Sequence, residues 1–176
     1  VGPTSFHRAR FTLKYKTKSW YVNGAYKYKL SESDLGDGWK NERSDLSVRT
    51  GYWNKTFRIG AGYSLIYSKN EGDRNFVFYG RPVTWNIINE GRANMFDAFF
   101  HFFLQKKVMV GFYGNYYMND GYWELKRIIL KPYLEVKFNG GFVSQLAYRY
   151  IEFEEKEYGL NDYTANIFEV SFGYKW

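Results

Sequence analysis

The chain has 176 residues and a formal net charge of +7, enough length for one domain and its core, and we expect a single domain over 1–176. The absence of cysteine excludes a disulfide scaffold and a thiolate metal site. No apolar run approaches the roughly 18–20 residues of a membrane-spanning helix, and the basic charge indicates an anionic partner such as nucleic acid, a lipid surface or an acidic solute.

Apolar and polar residues alternate along segments of about ten residues, which is the pattern of strands with two different faces. The first segment shows it clearly, because Phe11 and Leu13 alternate with Arg10 and Lys14. Turn-like stretches such as "NEGD", "NDG" and "NGG" separate many of these segments. In chain order the predicted strands are 6–17, 20–30, 43–53, 56–68, 92–104, 107–118, 125–138, 141–153 and 164–176.

The stretch "RNFVFYGRPVTWNII" (74–88) decides the predicted strand count. If it forms one strand the total is ten, an even number of the kind that bacterial single-chain barrels have. If it is a folded loop or two short strands, a partner strand is missing and twelve becomes the alternative. We therefore predict an all-β fold that is a closed antiparallel barrel, with ten strands favoured over twelve.

The composition of the two faces distinguishes a membrane barrel from a soluble one. Phe, Tyr and Trp crowd one face, and a soluble interior would have to pack all these rings at nearly crystalline density. The other face mixes small residues with Lys and Arg, as a water-filled lumen allows. Several aromatic residues lie near predicted strand ends, where interfacial girdles form. The tryptophans near predicted strand ends are Trp20, Trp53, Trp123 and Trp176. Together these patterns favour a transmembrane barrel over a soluble sheet.

The final stretch "NIFEVSFGYKW" (166–176) places an aromatic residue at every second position up to Trp176, apart from Val170. It resembles the C-terminal signal of bacterial outer-membrane β-barrels. The resemblance implies that the outer-membrane assembly machinery reads the last strand, which then closes the barrel against the first strand. It also implies a location in the outer membrane of a Gram-negative-type bacterium, with the lipid bilayer and lipopolysaccharide as partners.

Bases outnumber acids on the polar faces of the predicted strands, while most other acids fall in the connections. A tube with this inner surface has a positive potential that concentrates anions. The alternative interpretation is that Lys and Arg only solvate an exposed face. The predicted residues that line the passage are Arg8, Arg10, Lys14, Lys27, Arg49, Arg58, Lys131, Lys137 and Arg149.

The sequence offers little for catalysis, since its histidines are His7 and His101. Asp97 shares a face with His101, but four residues along a strand span roughly 13 Å, too far for a dyad. We therefore expect no enzyme activity, no cofactor and no metal. Nucleic acid is also not expected as a partner, because rings and bases lie on opposite faces of each strand.

Two stretches resemble the oligogalacturonate-specific porins, small monomeric channels for acidic oligosaccharides. They are "KPYLEVKFNGGFVSQLAYRYIEFEEKE" (131–157) and "FHRARFTLKYKTKSWYVNGAYKYK" (6–29), and the close "FEVSFGYKW" is similar. The resemblance implies a twelve-stranded barrel with a basic lumen. It also implies that Lys131, Lys137 and Arg149 line the passage. Five further bases would join them there: Arg8, Arg10, Lys14, Arg49 and Arg58.

The sequence therefore predicts an outer-membrane porin that passes small anionic solutes by passive diffusion, with acidic oligosaccharides as one possible class. Two alternatives stay open at this point. One is a small structural or adhesive outer-membrane barrel with a plugged interior, in which inward bases pair with inward acids. The other is an outer-membrane enzyme that modifies lipid.

Overall fold

The computed structural model describes residues 4–33, 38–121, 124–155 and 162–174, and these residues form one antiparallel sheet. The alternation of apolar and polar residues along the chain suits extended strands with two different faces, as the sequence predicts. The nine strands are β1 (Thr4–Lys16), β2 (Trp20–Ser33), β3 (Lys40–Trp53), β4 (Phe57–Phe78), β5 (Arg81–Gln105), β6 (Val108–Gly121), β7 (Leu125–Lys137), β8 (Phe142–Glu155) and β9 (Tyr163–Tyr174).

The strands follow one another in space in the order of the chain, each pairing with the next. Short turns join β1 to β2, β3 to β4, β5 to β6 and β7 to β8 at one end of the sheet, which we call the short-turn end. Local hydrogen bonds close these turns: the Asn54 side chain accepts from the backbone N–H groups of Thr56 and Phe57. Within the described ranges, no helix has the length and apolar character needed to cross a membrane.

The stretch 74–88 is not a separate strand, so the described residues form nine strands, and the predicted total of ten, with twelve as the alternative, is not confirmed. It forms the tip of a long hairpin, where β4 and β5 stay paired from Phe57↔Phe102 to Phe78↔Arg81. The turn consists of Tyr79 and Gly80, both with positive φ. A tyrosine seldom adopts this conformation, so the residue types alone did not indicate a two-residue turn there.

The cross-strand register assigns every second residue to one of two faces, and these faces differ sharply in exposure. Apolar side chains cover the first face and lie open, as in Leu13 (76% exposed) and Phe172 (81% exposed). Every described residue that is buried lies on the opposite face, among them Asp97, Asn115 and Ala147. Because the sheet has no second layer among the described residues, this burial indicates curvature toward the polar side. We call the polar side the inner face and the apolar side the outer face.

The described part of the chain has no hydrophobic core of the usual kind. Its buried apolar residues are Ala93 and Ala147, and no large described side chain is fully buried. A soluble domain of this length would bury most of its large apolar side chains. The arrangement is therefore the inverse of a soluble sandwich, with most large apolar side chains outside and most charges inside, as the membrane interpretation predicts. Some rings are exceptions, among them Trp53, which lies on the inner face opposite Arg58 and not on an outer girdle.

The predicted closure between the last and first strands is not present in the described residues, where β1 pairs with β2 and β9 pairs with β8. The geometry explains this difference. In an antiparallel meander of nine strands, β1 and β9 run in the same direction, so direct pairing between them would be parallel. Lys175 and Trp176 lie outside the described residues, as does Trp123, and recognition of Trp176 by assembly machinery stays a prediction.

Candidate functional site

The inner face brings together all nine bases that the sequence predicts as lining residues. Cross-strand partners share a face, so the register can be followed from one strand to the next. Lys14 lies opposite Asn23, Asn23 lies opposite Arg49, and the row continues through Gly62 to Asp97. The residues placed on this face are Arg8, Arg10, Lys14, Lys27, Arg49, Arg58, Lys131, Lys137 and Arg149.

The charges on the inner face are distributed unevenly around the sheet. The tip of the β4–β5 hairpin has no neighbouring strand on either side. Outside this tip, the described inner residues of β1–β4 include nine bases and one acid, whereas those of β5–β9 include four bases and four acids. The inner bases of β1–β4, which we call the basic wall, are Arg8, Arg10, Lys14, Lys16, Lys27, Lys29, Arg43, Arg49 and Arg58, with Asp45 as the acid. The sequence predicted an excess of bases on this face, and the structure confines that excess to one side of the sheet.

Several bases of the basic wall face one another across neighbouring strands. Arg8 lies opposite Lys29 and Arg10 lies opposite Lys27. Like charges in direct cross-strand positions destabilise a sheet. Arg8, Arg10 and Lys27 make no ion pair within the described residues. The basic wall therefore concentrates positive charge at a cost in stability, which simple solvation of a surface does not require.

Aromatic rings hold three of these cations without neutralising them. The Lys16 Nζ lies 5.5 Å from the Trp53 ring centroid, and the Lys29 Nζ lies 5.8 Å from that of Phe6. The Arg58 guanidinium lies 5.1 Å from the Phe103 ring centroid. A ring attracts a cation through its quadrupole and carries no net charge. The three side chains therefore stay near the wall with their full positive charge.

One ion pair joins the basic wall to the other half of the sheet. An Arg49 Nη atom donates to both carboxylate oxygens of Asp97, at 2.9 and 3.0 Å, across the intervening strand β4. Gly62 lies between them, and a Cβ at this position would stand 2.6 Å from Asp97 Oδ1. The pair therefore requires a glycine at position 62.

The remaining predicted bases belong to balanced pairs on β7–β9. Glu169 accepts from Lys131 at 2.6 Å and from Arg149 at 2.5 Å. Lys137 lies 3.8 Å from Glu135. These three bases lie on the predicted face, but adjacent acids compensate much of their charge.

His101 has a partner that the sequence did not indicate. Its Nε2 lies 2.6 Å from the Tyr133 hydroxyl, across the inner-face glycine Gly111. Asp97, the acid considered from sequence, binds Arg49 instead. His7 lies exposed on the outer face of the edge strand β1. Within the described ranges, no group of three or more metal-ligating side chains is present.

Two recesses lie along the basic wall and share two residues. The larger, of about 700 Å³, is lined by Lys14, Lys16, Arg58 and several aromatic rings. The smaller, of about 350 Å³, is lined by Arg10, Lys27 and Arg49 among others. Lys14 and Asn23 line both recesses, so the two recesses adjoin, and Asp97 is the acid in the lining of the smaller one.

Charged side chains mark one limit of the apolar outer face, at the end opposite the short turns. Lys69 pairs with Glu71 and lies 3.6 Å from Glu90, while Lys40 lies 3.8 Å from Glu32. We call these five residues the outer rim. The hydrogen bond from Lys69 lowers the pKa of the Glu71 carboxyl and raises the pKa of Lys69 itself. Both groups are therefore charged at neutral pH, as expected where a membrane surface meets water.

Comparison with known proteins gives structural similarity alone, since no protein-family model and no curated protein matches the chain. The beta domain of the Bordetella autotransporter BrkA is 14% identical over 97% of this chain and 77% of its own, with a TM-score of 0.44. In-vitro folded OmpT, an outer membrane protein of Vibrio cholerae, is 10% identical over 99% of this chain and 83% of its own, with a TM-score of 0.45. Both TM-scores are below 0.5, so these similarities carry no argument about function, and the geometry of this chain has to supply it.

Proposed function

We propose that the nine strands form part of the wall of an outer-membrane β-barrel channel that passes small anions by passive diffusion. The observation that carries the proposal is the inversion of the two faces: apolar side chains lie exposed outside, and charged side chains line the concave inside. Hydrocarbon is the solvent that stabilises such an outer surface, and water is the solvent that stabilises such an inner one.

The basic wall gives the proposed channel its preference for anions. Cations that are fixed on one side of a narrow aqueous passage lower the electrostatic cost for an entering anion. Arg8, Arg10 and Lys27 are exposed and have no competing acid partner among the described residues, so they are available to a passing solute. Both recesses are open to the inside of the wall, so a bound solute could leave without a conformational change, as passive diffusion requires.

An all-antiparallel tube requires an odd number of further strands between β9 and β1, because these two edges run in the same direction. This requirement is compatible with the even strand number of bacterial single-chain barrels. The short-turn end would face the periplasm, since such barrels have short periplasmic turns and longer outer loops.

Acidic oligosaccharides are the solute class implied by the resemblance of 131–157 and 6–29 to the oligogalacturonate-specific porins. The two adjoining recesses, with bases from Arg10 to Arg58, support this proposal, because a chain of carboxylates could contact several bases in succession. No chemical step is needed for such transport, and we propose no catalytic role for His101.

Single-channel recording in a planar lipid bilayer under a KCl gradient tests the proposal. We expect stable conductance steps and a reversal potential that shows preference for Cl⁻. A cation-selective reversal potential would exclude the role of the basic wall and leave the barrel intact.

A structural barrel with a closed interior is the second candidate, and the balanced ion pairs around Glu169 are the observation in its favour. Folded, membrane-inserted protein without any conductance would support it over the channel. Heat-modified mobility on a denaturing gel, which reports a folded barrel, keeps this outcome separate from simple failure to fold.

A further inference from the structure

Two aromatic rings lie over glycines of the inner wall beside the larger recess. One cross-strand row on β2 to β5 consists, in this order, of Tyr21, Gly51, Gly60 and Phe99. The Tyr21 ring covers Gly51, and the Phe99 ring covers Gly60, where an added Cβ would stand 2.5 Å from the Phe99 ring. The two glycines allow the rings to lean toward each other, and together the rings form an aromatic floor.

A third ring extends this floor toward the short-turn end. The centroids of Tyr21 and Trp53 are 5.8 Å apart and their planes are inclined by 32°. All three rings line the recess of about 700 Å³. Tyr21 and Phe99 each contact the wall through ring atoms that lie over a glycine, and the His101 ring, 5.0 Å from that of Phe99 between centroids, lines the same recess.

Cations surround the aromatic floor. Lys14, Lys16 and Arg58 line the same recess, and Trp53 holds Lys16 by the cation–π contact described above. No acidic side chain lines this recess among the described residues. The recess therefore offers flat apolar faces and uncompensated positive charge within one small volume.

We propose that this recess binds small aromatic carboxylates, a solute class narrower than the general anions of the proposed channel. The carboxylate would interact with Lys14, Lys16 or Arg58, while the ring of the solute stacks on Tyr21 and Phe99. Stacked aromatic pairs gain free energy beyond the area that they bury, and planar rings match a flat floor better than puckered rings do. The inference rests on the proposed function for its biological meaning, but the binding itself does not require conduction.

Equilibrium dialysis of labelled benzoate against the folded, detergent-solubilised protein tests the inference directly. We expect benzoate to bind more tightly than cyclohexanecarboxylate, and acetate to bind weakest, although all three carry the same charge. The double variant Tyr21→Leu/Phe99→Leu should weaken benzoate binding about 2- to 10-fold, the range expected for lost aromatic contacts. Tyr113→Leu is the matched control, because Tyr113 lies on the inner face but outside the recess.

A second variant guards against misfolding of the double substitution. Gly60→Ala keeps the identity of every floor residue, but its Cβ, 2.5 Å from the Phe99 ring and 3.0 Å from the Thr50 backbone oxygen, would displace that ring from the wall. This variant should also weaken benzoate binding. Equal binding of benzoate and acetate would overturn the proposal. Equal binding of benzoate and cyclohexanecarboxylate would also overturn it, because the recess would then recognise apolar bulk and not an aromatic ring. KCl conductance without selective dialysis binding would reject this site alone, whereas selective binding without conductance would reject the channel alone.

Discussion

The substitution Gly62→Ala tests whether the glycine is required by the ion pair that crosses β4. The added Cβ would stand 2.6 Å from Asp97 Oδ1 and 3.1 Å from Arg49 Nε, both shorter than ordinary contact. The Arg49 side chain is 53% exposed and can move into water, whereas the Asp97 side chain is 5% exposed and cannot. The carboxylate therefore has to lose its partner or shift into its neighbours.

The expected magnitude follows from these exposures. A buried acceptor left without its partner costs about 1–3 kcal/mol. Replacing glycine by alanine restores about 0.4–1 kcal/mol by restricting the unfolded chain. We therefore expect a net loss of about 0.5–2 kcal/mol in the free energy of unfolding. Gly24→Ala is the control and should be neutral or stabilising, because nothing lies within 4 Å of a Cβ there.

Urea unfolding in lipid vesicles, followed by tryptophan fluorescence, measures these changes. The decisive comparison is a double-mutant cycle with Asp97→Ala, which removes the carboxylate that the new methyl group would contact. In that background Gly62→Ala should cost almost nothing. If it costs as much as in the wild-type protein, the glycine is needed for some reason other than the ion pair, and the steric argument is refuted.

Three further predictions address the wall, the outer face and the rim. The double variant Lys14→Gln/Lys27→Gln should move the reversal potential in a KCl gradient toward zero. Lys69→Gln on the outer rim is the control and should leave the reversal potential unchanged. Equal shifts for both variants would show that the inner face does not determine the anion preference. Phe100→Lys should destabilise the inserted protein by about 2–4 kcal/mol if it lies near the bilayer midplane, and Tyr79→Lys at the exposed hairpin tip should not, as measured by vesicle unfolding. Since the pKa of Glu71 is lowered in the folded protein, its pair with Lys69 stabilises the fold above the ordinary Glu pKa and is lost as pH falls through the lowered value. The stability difference between wild type and Glu71→Gln should therefore vanish at low pH, and a difference that persists there would contradict the assigned pair.

Alternation along single strands was sufficient to predict which residues share a face. Arg10 and Lys14 lie inside and Phe11 and Leu13 lie outside, as a period of two requires. The predicted strand ends lie within a few residues of those observed, except at the ends of β4 and β5 that extend into the long hairpin. Local pattern carries this information because each strand has to satisfy both faces by itself.

The long hairpin and the uneven wall could not be predicted in the same way. "NEGD" and "NEG" suggested turns, but Asn70 lies opposite Asn89 within a continuous ladder. The pairing of Arg49 with Asp97, and of Lys131 with Glu169, depends on which strands lie two positions apart in the sheet. Such contacts need the register, and one unaligned sequence does not contain it. The glycines at 51 and 60 make room for the rings of Tyr21 and Phe99, which come from neighbouring strands, so this role also depends on the register.

The β4–β5 hairpin has one more consequence in the proposed orientation. Its last paired residues with a neighbour on β3 are near Glu71, and β4 continues to Phe78, a further rise of about 20 Å at ~3.3 Å per residue. The tip, with Tyr79 at 92% exposure, would stand above the lipid headgroups on the cell exterior. Antibodies, phages and large polymers that approach the bacterium would therefore meet this two-stranded arm before they reach the mouth of the channel.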